Sequence, residues 1–131
     1  MDLSTCTTKD IGNLGETIAT KYLKQNGFKI VERNVARKTG EIDIIAERKG
    51  TLHFVEVKSL LCDEFPEDGV PNALHNPADN IHEHKVRKIS RTAEWYTAEK
   101  GWKGPVQIDA ILVWLRTRDA LAKVRYLPQI L

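Results

Sequence analysis

No segment of the chain is apolar over the roughly 20 consecutive residues that a helical membrane span requires, so no membrane association is expected. The opening decapeptide, MDLSTCTTKD, has no apolar core of the kind a secretory signal carries. Cysteine is scarce: Cys6 and Cys62 lie far apart, match no metal-binding spacing, and read as free thiols of a reducing compartment. A cytoplasmic location is the expectation that follows. The sequence contains no internal repeat and no low-complexity tract. It also lacks an excess of charge of one sign. Twenty Lys and Arg against eighteen Asp and Glu give a net charge of +2, which neither announces nor excludes a nucleic-acid partner.

What is present fits one globular domain. In 131 residues, 41% are hydrophobic and 29% charged, too apolar for a disordered chain and of ordinary size for a single core. Residues 1–9 are polar and expected to be a flexible N-terminus, with residues 10–131 forming the domain. Charge is unevenly spread. Residues 1–70 hold ten basic and twelve acidic side chains, whereas residues 71–131 hold ten basic and six acidic. A base-rich second half hints at an anionic partner.

Hydrophobic periodicity gives the element order. Asp10 can cap a helix in which Ile11, Leu14, Ile18 and Tyr22 recur at helical spacing, and Asn26-Gly27 is a suitable stop. Strands are expected over 28–35, 41–47 and 51–58, the last two joined by a turn at Arg48-Lys49-Gly50. Residues 62–80 carry Pro66, Gly69, Pro71 and Pro77 and read as a long loop, within which CDEFPEDG has four acids and no base. A second helix is expected to start near 77–80 and to end at Gly101, burying Val86, Ile89, Ala93 and Tyr96. Residues 108–115 form a central buried strand and residues 122–127 a last one. Helix, three strands, helix, two strands pack most economically as a mixed sheet flanked by helices.

Chemistry concentrates in the second and third strands. Asp43 lies among Ile42, Ile44 and Ile45, a costly place for an acid unless something binds it. Glu56 and Lys58 are two apart on a strand and share a face. A two-residue turn at Lys49-Gly50 pairs Arg48 with Thr51 and brings Asp43 opposite Glu56. A four-residue loop keeps the same face, and a three-residue loop without a bulge puts the acids on opposite faces. Two carboxylates on one face make a hard oxygen site suited to Mg2+ or Mn2+. Such an ion binds a phosphate oxygen and acidifies a water. Lys58 beside it would position that water or offset charge on the phosphate.

These residues resemble a known family. GNLGE with Glu16, GEIDII, FVEVK and QIDAILVWL together look like the YraN-type family of small bacterial proteins. That family belongs to the PD-(D/E)xK nuclease superfamily and is similar to archaeal Holliday junction resolvases. The likeness runs from Gly12 to Leu115. It implies a restriction-endonuclease-like α/β fold with an αβββαβ core and metal-dependent cleavage of DNA phosphodiesters, with branched or damaged DNA as the substrate class. Asp43, Glu56 and the backbone carbonyl of Val57 would bind the metal. Lys58 would be the catalytic lysine, and Glu16 would supply or orient the metal from the first helix. The resolvase likeness leaves a homodimer open, although nothing in the sequence marks a dimer face.

The chain departs from the family in having Ser59-Leu60-Leu61 and an acidic loop where bases often follow the lysine. Residues 82–91 partly compensate with four bases and one acid. Lys85, Arg87, Lys88 and Arg91 are therefore the candidate DNA-binding residues. The alternative function is a non-catalytic nucleic-acid-binding or protein-interaction module on a nuclease fold. Asp109 is expected to serve as a structural hydrogen-bonding acid, His53 to face away from Glu56, and Trp95, Trp102 and Trp114 to pack.

Overall fold

Thr7 starts the first helix. Its hydroxyl accepts the backbone N–H of Asp10 while the Asp10 carboxylate accepts that of Thr7, each at 3.1 Å. This capping box satisfies two otherwise orphaned donors and sets α1 at Thr8–Gln25. Asp10 is thus the third helical residue and not the cap expected of it. At the other end Asn26 caps the helix and Gly27 takes φ +83°, the left-handed geometry a glycine tolerates.

A computed structural model describes residues 3–66 and 83–131 of the chain. Three strands follow α1: β1 (Lys29–Arg37), β2 (Gly40–Arg48) and β3 (Thr51–Cys62). Then come α2, described over Glu83–Lys100, β4 (Val106–Arg116) and β5 (Ala122–Leu127). The expected start of α2 near 77–80 lies outside the described residues. The strands form one sheet in the order β1-β2-β3-β4-β5, with β3 and β4 parallel and the other pairs antiparallel. This is a mixed α/β fold, a five-stranded mixed sheet flanked by two helices, consistent with a restriction-endonuclease-like architecture.

The sheet has a core on each face. Ile11, Ala19 and Leu23 of α1 pack with Ile44, Ala46, Val55, Ile111 and Val113. Ile89, Ala93 and Tyr96 of α2 pack with Ile42, Ile45, Phe54 and Ile108. Burial on both faces explains why β4 reads as a nearly continuous apolar run. The stripe expected on α2 is the one it buries, with Thr92 added. Leu3, in the stretch expected to be flexible, is 2% exposed, and its N–H donates to the Thr117 carbonyl.

Two strand ends differ from expectation. β1 starts at Lys29 and runs on to Arg37, and β3 runs four residues past Lys58. Ser59-Leu60-Leu61 contains no breaker, and each of these residues pairs along β4, from Ser59 with Val113 to Leu61 with Leu115. Among the described residues, no helix is long and apolar enough to cross a membrane. Both cysteines are free.

Candidate functional site

The β2–β3 turn decides whether the acids meet. Lys49 and Gly50 both have positive φ, 50° and 78°, the two-residue turn geometry that matches strand twist. Arg48 pairs with Thr51, and the ladder continues to Ile44 with Val55. Asp43 and Glu56 are the next positions outward. There the two strands part, and the Asp43 carboxylate takes over as acceptor, receiving the Val57 backbone N–H at 2.8 Å. Side-chain alternation also breaks here: Ile44 and Ala46 enter the α1 core, while Ile42 and Ile45 enter the α2 core. An acid is tolerated among isoleucines because the strand changes face around it and a backbone donor is left for it to bind.

Glu56 follows Leu52 and Phe54 on the α2 side and is 4% exposed. Its cation comes from α2, where the Lys85 ammonium pairs with Glu56 Oε1. Burial and the neighbouring Asp43 push the Glu56 carboxyl up to about 7, and Lys85 holds it from rising further. Burial alone would lower the Lys85 ammonium, but Glu56, with Asp43 and Glu41, outweighs it and raises it.

Glu16 approaches from the α1 side. Its carboxyl is raised, first by burial and then by Asp43. Glu16 Oε1 is buried and has no hydrogen-bond partner. What lets α1 come this close is Gly15: a Cβ there would meet Ser59 Oγ at 1.8 Å and Ser59 Cβ at 3.0 Å. Gly15 is a positioning residue that the sequence reading did not single out. The available signal was a glycine inside a helix, which costs about 1 kcal/mol against alanine and so marks a close approach.

Asp43 is therefore the shared member, influencing both Glu16 and Glu56. Among the described residues, no three His, Cys, Asp or Glu side chains close into a finished ligand set. The partial fit is chemical: three carboxylates on three elements, one buried oxygen without a partner, an ammonium paired with Glu56, and the Arg33 guanidinium acting on Glu16 at longer range. Lys58 is exposed on the face that alternation shares with Glu56. Val57 is half-buried between them, its N–H committed to Asp43.

On α2, Lys85, Arg87, Lys88 and Arg91 are all exposed. Arg87 pairs with Glu83 of its own helix at 2.6 Å. Trp95 is 60% exposed and does not pack as expected, because it falls on the outward row with Lys88 and Arg91. Two acids of the segment after β3 are accounted for: Asp63 accepts from Thr117, and Glu64 pairs with Arg118 at 2.6 Å. Cys62 is six residues beyond Glu56 on one strand, about 20 Å away, so neither acid is near the site. Glu67, Asp68 and His82 lie outside the described residues.

The opposite face holds a different polar cluster. His53 and Asp109 are both buried, with His53 Nδ1 2.6 Å from Asp109 Oδ2. Tyr126 Oη, the Gln107 amide and the Gln129 backbone N–H donate to the same carboxylate, at 2.7, 2.8 and 2.9 Å. Burial and this contact raise the Tyr126 hydroxyl.

Fold and site define a class: a restriction-endonuclease-like α/β protein with acids gathered at the open end of a central hairpin. The chain belongs to the uncharacterised protein family UPF0102, whose model matches residues 15–113, in agreement with the YraN-type resemblance. A UPF0102 protein of Sulfurovum sp. (strain NBC37-1) is 38% identical over 106 residues, covering 80% of this chain and 84% of that one. One from Clostridium botulinum (strain 657 / Type Ba4) is 39% identical over 114 residues, covering 86% and 85%. Among solved structures, Pyrococcus furiosus SfsA in complex with Ca2+ aligns with a TM-score of 0.35 and 17% identity. The alignment covers 91% of this chain, which spans 62% of that protein's length. At that level the likeness carries no argument.

Proposed function

We propose that this protein is a metal-dependent endonuclease acting on DNA phosphodiester bonds, with branched or damaged DNA as its substrate class. The observation that supports this best is Asp43 and Glu56 each one position past the last pair of the hairpin ladder, with the unpartnered Glu16 oxygen arriving from α1. Three acids held in partial burial, with Lys85 paired to one of them and Arg33 acting on another, are expensive unless a further cation joins them. Carboxylate oxygens suit Mg2+ or Mn2+. Asp43 and Glu56 would hold the ion, with the Val57 carbonyl as a further ligand and Glu16 supplying or orienting it. When bound, the ion would supply a Lewis-acid site for a phosphate oxygen and an acidified water.

The chain's own residues do the rest. The Val57 N–H fixes the Asp43 carboxylate. Lys58 offsets charge on the reacting phosphate, as an electrostatic and positioning group. Lys88 and Arg91 contact the DNA backbone, and Lys85 and Arg87 join them once released from their carboxylates. A symmetric junction would be met by a homodimer.

The test is cleavage of linear and branched DNA with Mg2+ or Mn2+. Cleavage by the wild type and its loss in Asp43→Ala are expected, and equal cleavage by both would overturn the reading. A second reading, a non-catalytic nucleic-acid-binding module, draws support from the absence of a finished ligand set among the described residues. It predicts DNA binding that weakens steeply with salt and no cleavage with either metal.

A further inference from the structure

Glu56 has a cation already, and the pair is lopsided. The Glu56 side chain is 5% exposed and held by a central strand, whereas that of Lys85 is 54% exposed. Lys85 therefore spans from solvent to a buried acid on a flexible four-carbon stem, with the compact charge of an ammonium at its tip. A fully buried pair would hold both partners in one geometry, whereas a half-exposed lysine can return its head to water. Here only the acid is fixed.

The other α2 cations behave differently. Arg87 turns back to Glu83 on its own helix, and Lys88 and Arg91 stay exposed. Lys85 alone among the described α2 cations pairs with a candidate metal-binding acid. Its ammonium pairs with Glu56 and also feels the charges of Asp43 and Glu41.

We propose that Lys85 is a placeholder cation: its ammonium occupies the divalent-ion position beside Glu56 in the metal-free protein and leaves when the ion binds. This rests on the metal-dependent reading above. The exchange needs no covalent change. One ammonium moves out to solvent, one divalent ion moves in, and the three acids lose one positive charge and gain two. Lys85 thus lowers apparent metal affinity while keeping the buried acids compatible with folding when no metal is present.

The probe is Mn2+ alone, titrated calorimetrically at mildly alkaline pH into wild type, Lys85→Met, Lys85→Arg and Lys88→Met. Lys85→Met should bind Mn2+ about tenfold more tightly, the factor for an ammonium that occupies the position about nine-tenths of the time. Lys88→Met should stay close to wild type, and Lys85→Arg, which keeps the charge but not the compact ammonium, should fall between wild type and Lys85→Met. A second measurement needs no variant. Amine acylation read by mass spectrometry should show Lys85 becoming more reactive as Mn2+ saturates the wild type, with Lys88 unchanged. If Lys85→Met binds Mn2+ equally or more weakly, or Lys85 gains no reactivity, the placeholder is overturned while the metal site stands. No Mn2+ binding to wild type or to Lys85→Met would overturn both.

Discussion

Two buried acids sit almost side by side in this sheet. Asp109 pairs across β3–β4 with Val55, and Glu56 is the next residue along. They face opposite sides and meet opposite treatment. Asp109 is fully buried and has four polar partners, one of them a backbone N–H. Glu56 is 4% exposed and has one ammonium on a half-exposed stem, with a second acid beside it. A satisfied buried acid is architecture. A buried acid crowded by a second acid and held by a half-exposed cation is the arrangement found more often at functional sites. Burial alone does not distinguish them, whereas the balance of donors and charges does.

The sharpest way to break the comparison is to remove each acid. Asp109→Ala strands three side-chain groups and the Gln129 N–H at once. A loss of roughly 3–5 kcal/mol in unfolding free energy is expected, measured by urea denaturation. A loss below about 1 kcal/mol would mean the network is not structural.

Glu56→Gln should act in the other direction, and through pH. The Glu56 carboxyl rises from 4.5 to about 7 on folding. The folded state then binds more protons than the unfolded state across that window, so wild-type stability falls as pH climbs from 4.5 to about 7. At about 1.4 kcal/mol for each tenfold change in proton affinity, the fall is roughly 3 kcal/mol. Glu56→Gln removes this slope. Denaturation at the two ends of the window should show the variant gaining on wild type by about that amount, and parallel curves would refute it.

The contrast between the acids was only partly legible in the sequence. The turn at Lys49-Gly50 is a local signal, and of the loop lengths it leaves open the two-residue one, which the structure has, brings Asp43 toward Glu56. His53 facing away and Asp109 serving as a hydrogen-bonding acid follow from strand alternation and position. The partners of these acids did not follow. Lys85 reaching Glu56 depends on how α2 lies over the sheet, and Tyr126 and Gln129 reaching Asp109 depends on the chain returning along β4. Those are packing outcomes with no local spacing. The same holds for Trp95, whose type suggested burial and whose helical row is outward. The extension of β3 to Cys62 was missed because only the partner strand, and no residue preference, carries it on.

Gly15 sharpens the comparison most finely, since α1 covers the face that holds Asp109 and also brings Glu16 toward Asp43. A methyl at Gly15 meets Ser59 Oγ at 1.8 Å, so either Ser59 or the helix must move. Gly15→Ala is therefore expected to cost about 1–3 kcal/mol by overpacking, although alanine is the better helix former. Ser59→Ala in the same chain removes the Oγ contact but leaves Cβ at 3.0 Å, so it should restore only part of the loss. If the helix moves, it moves where it touches β3, and Mn2+ affinity should fall by more than the urea midpoint implies. The Asp109 network is anchored on β3, β4, β5 and the C-terminal segment and meets α1 through the Tyr22–Tyr126 ring contact and not through a hydrogen bond, so it should keep its amide exchange protection. Loss of protection at Asp109 and Gln129 in Gly15→Ala would show that the two acids belong to one cooperative unit and not two.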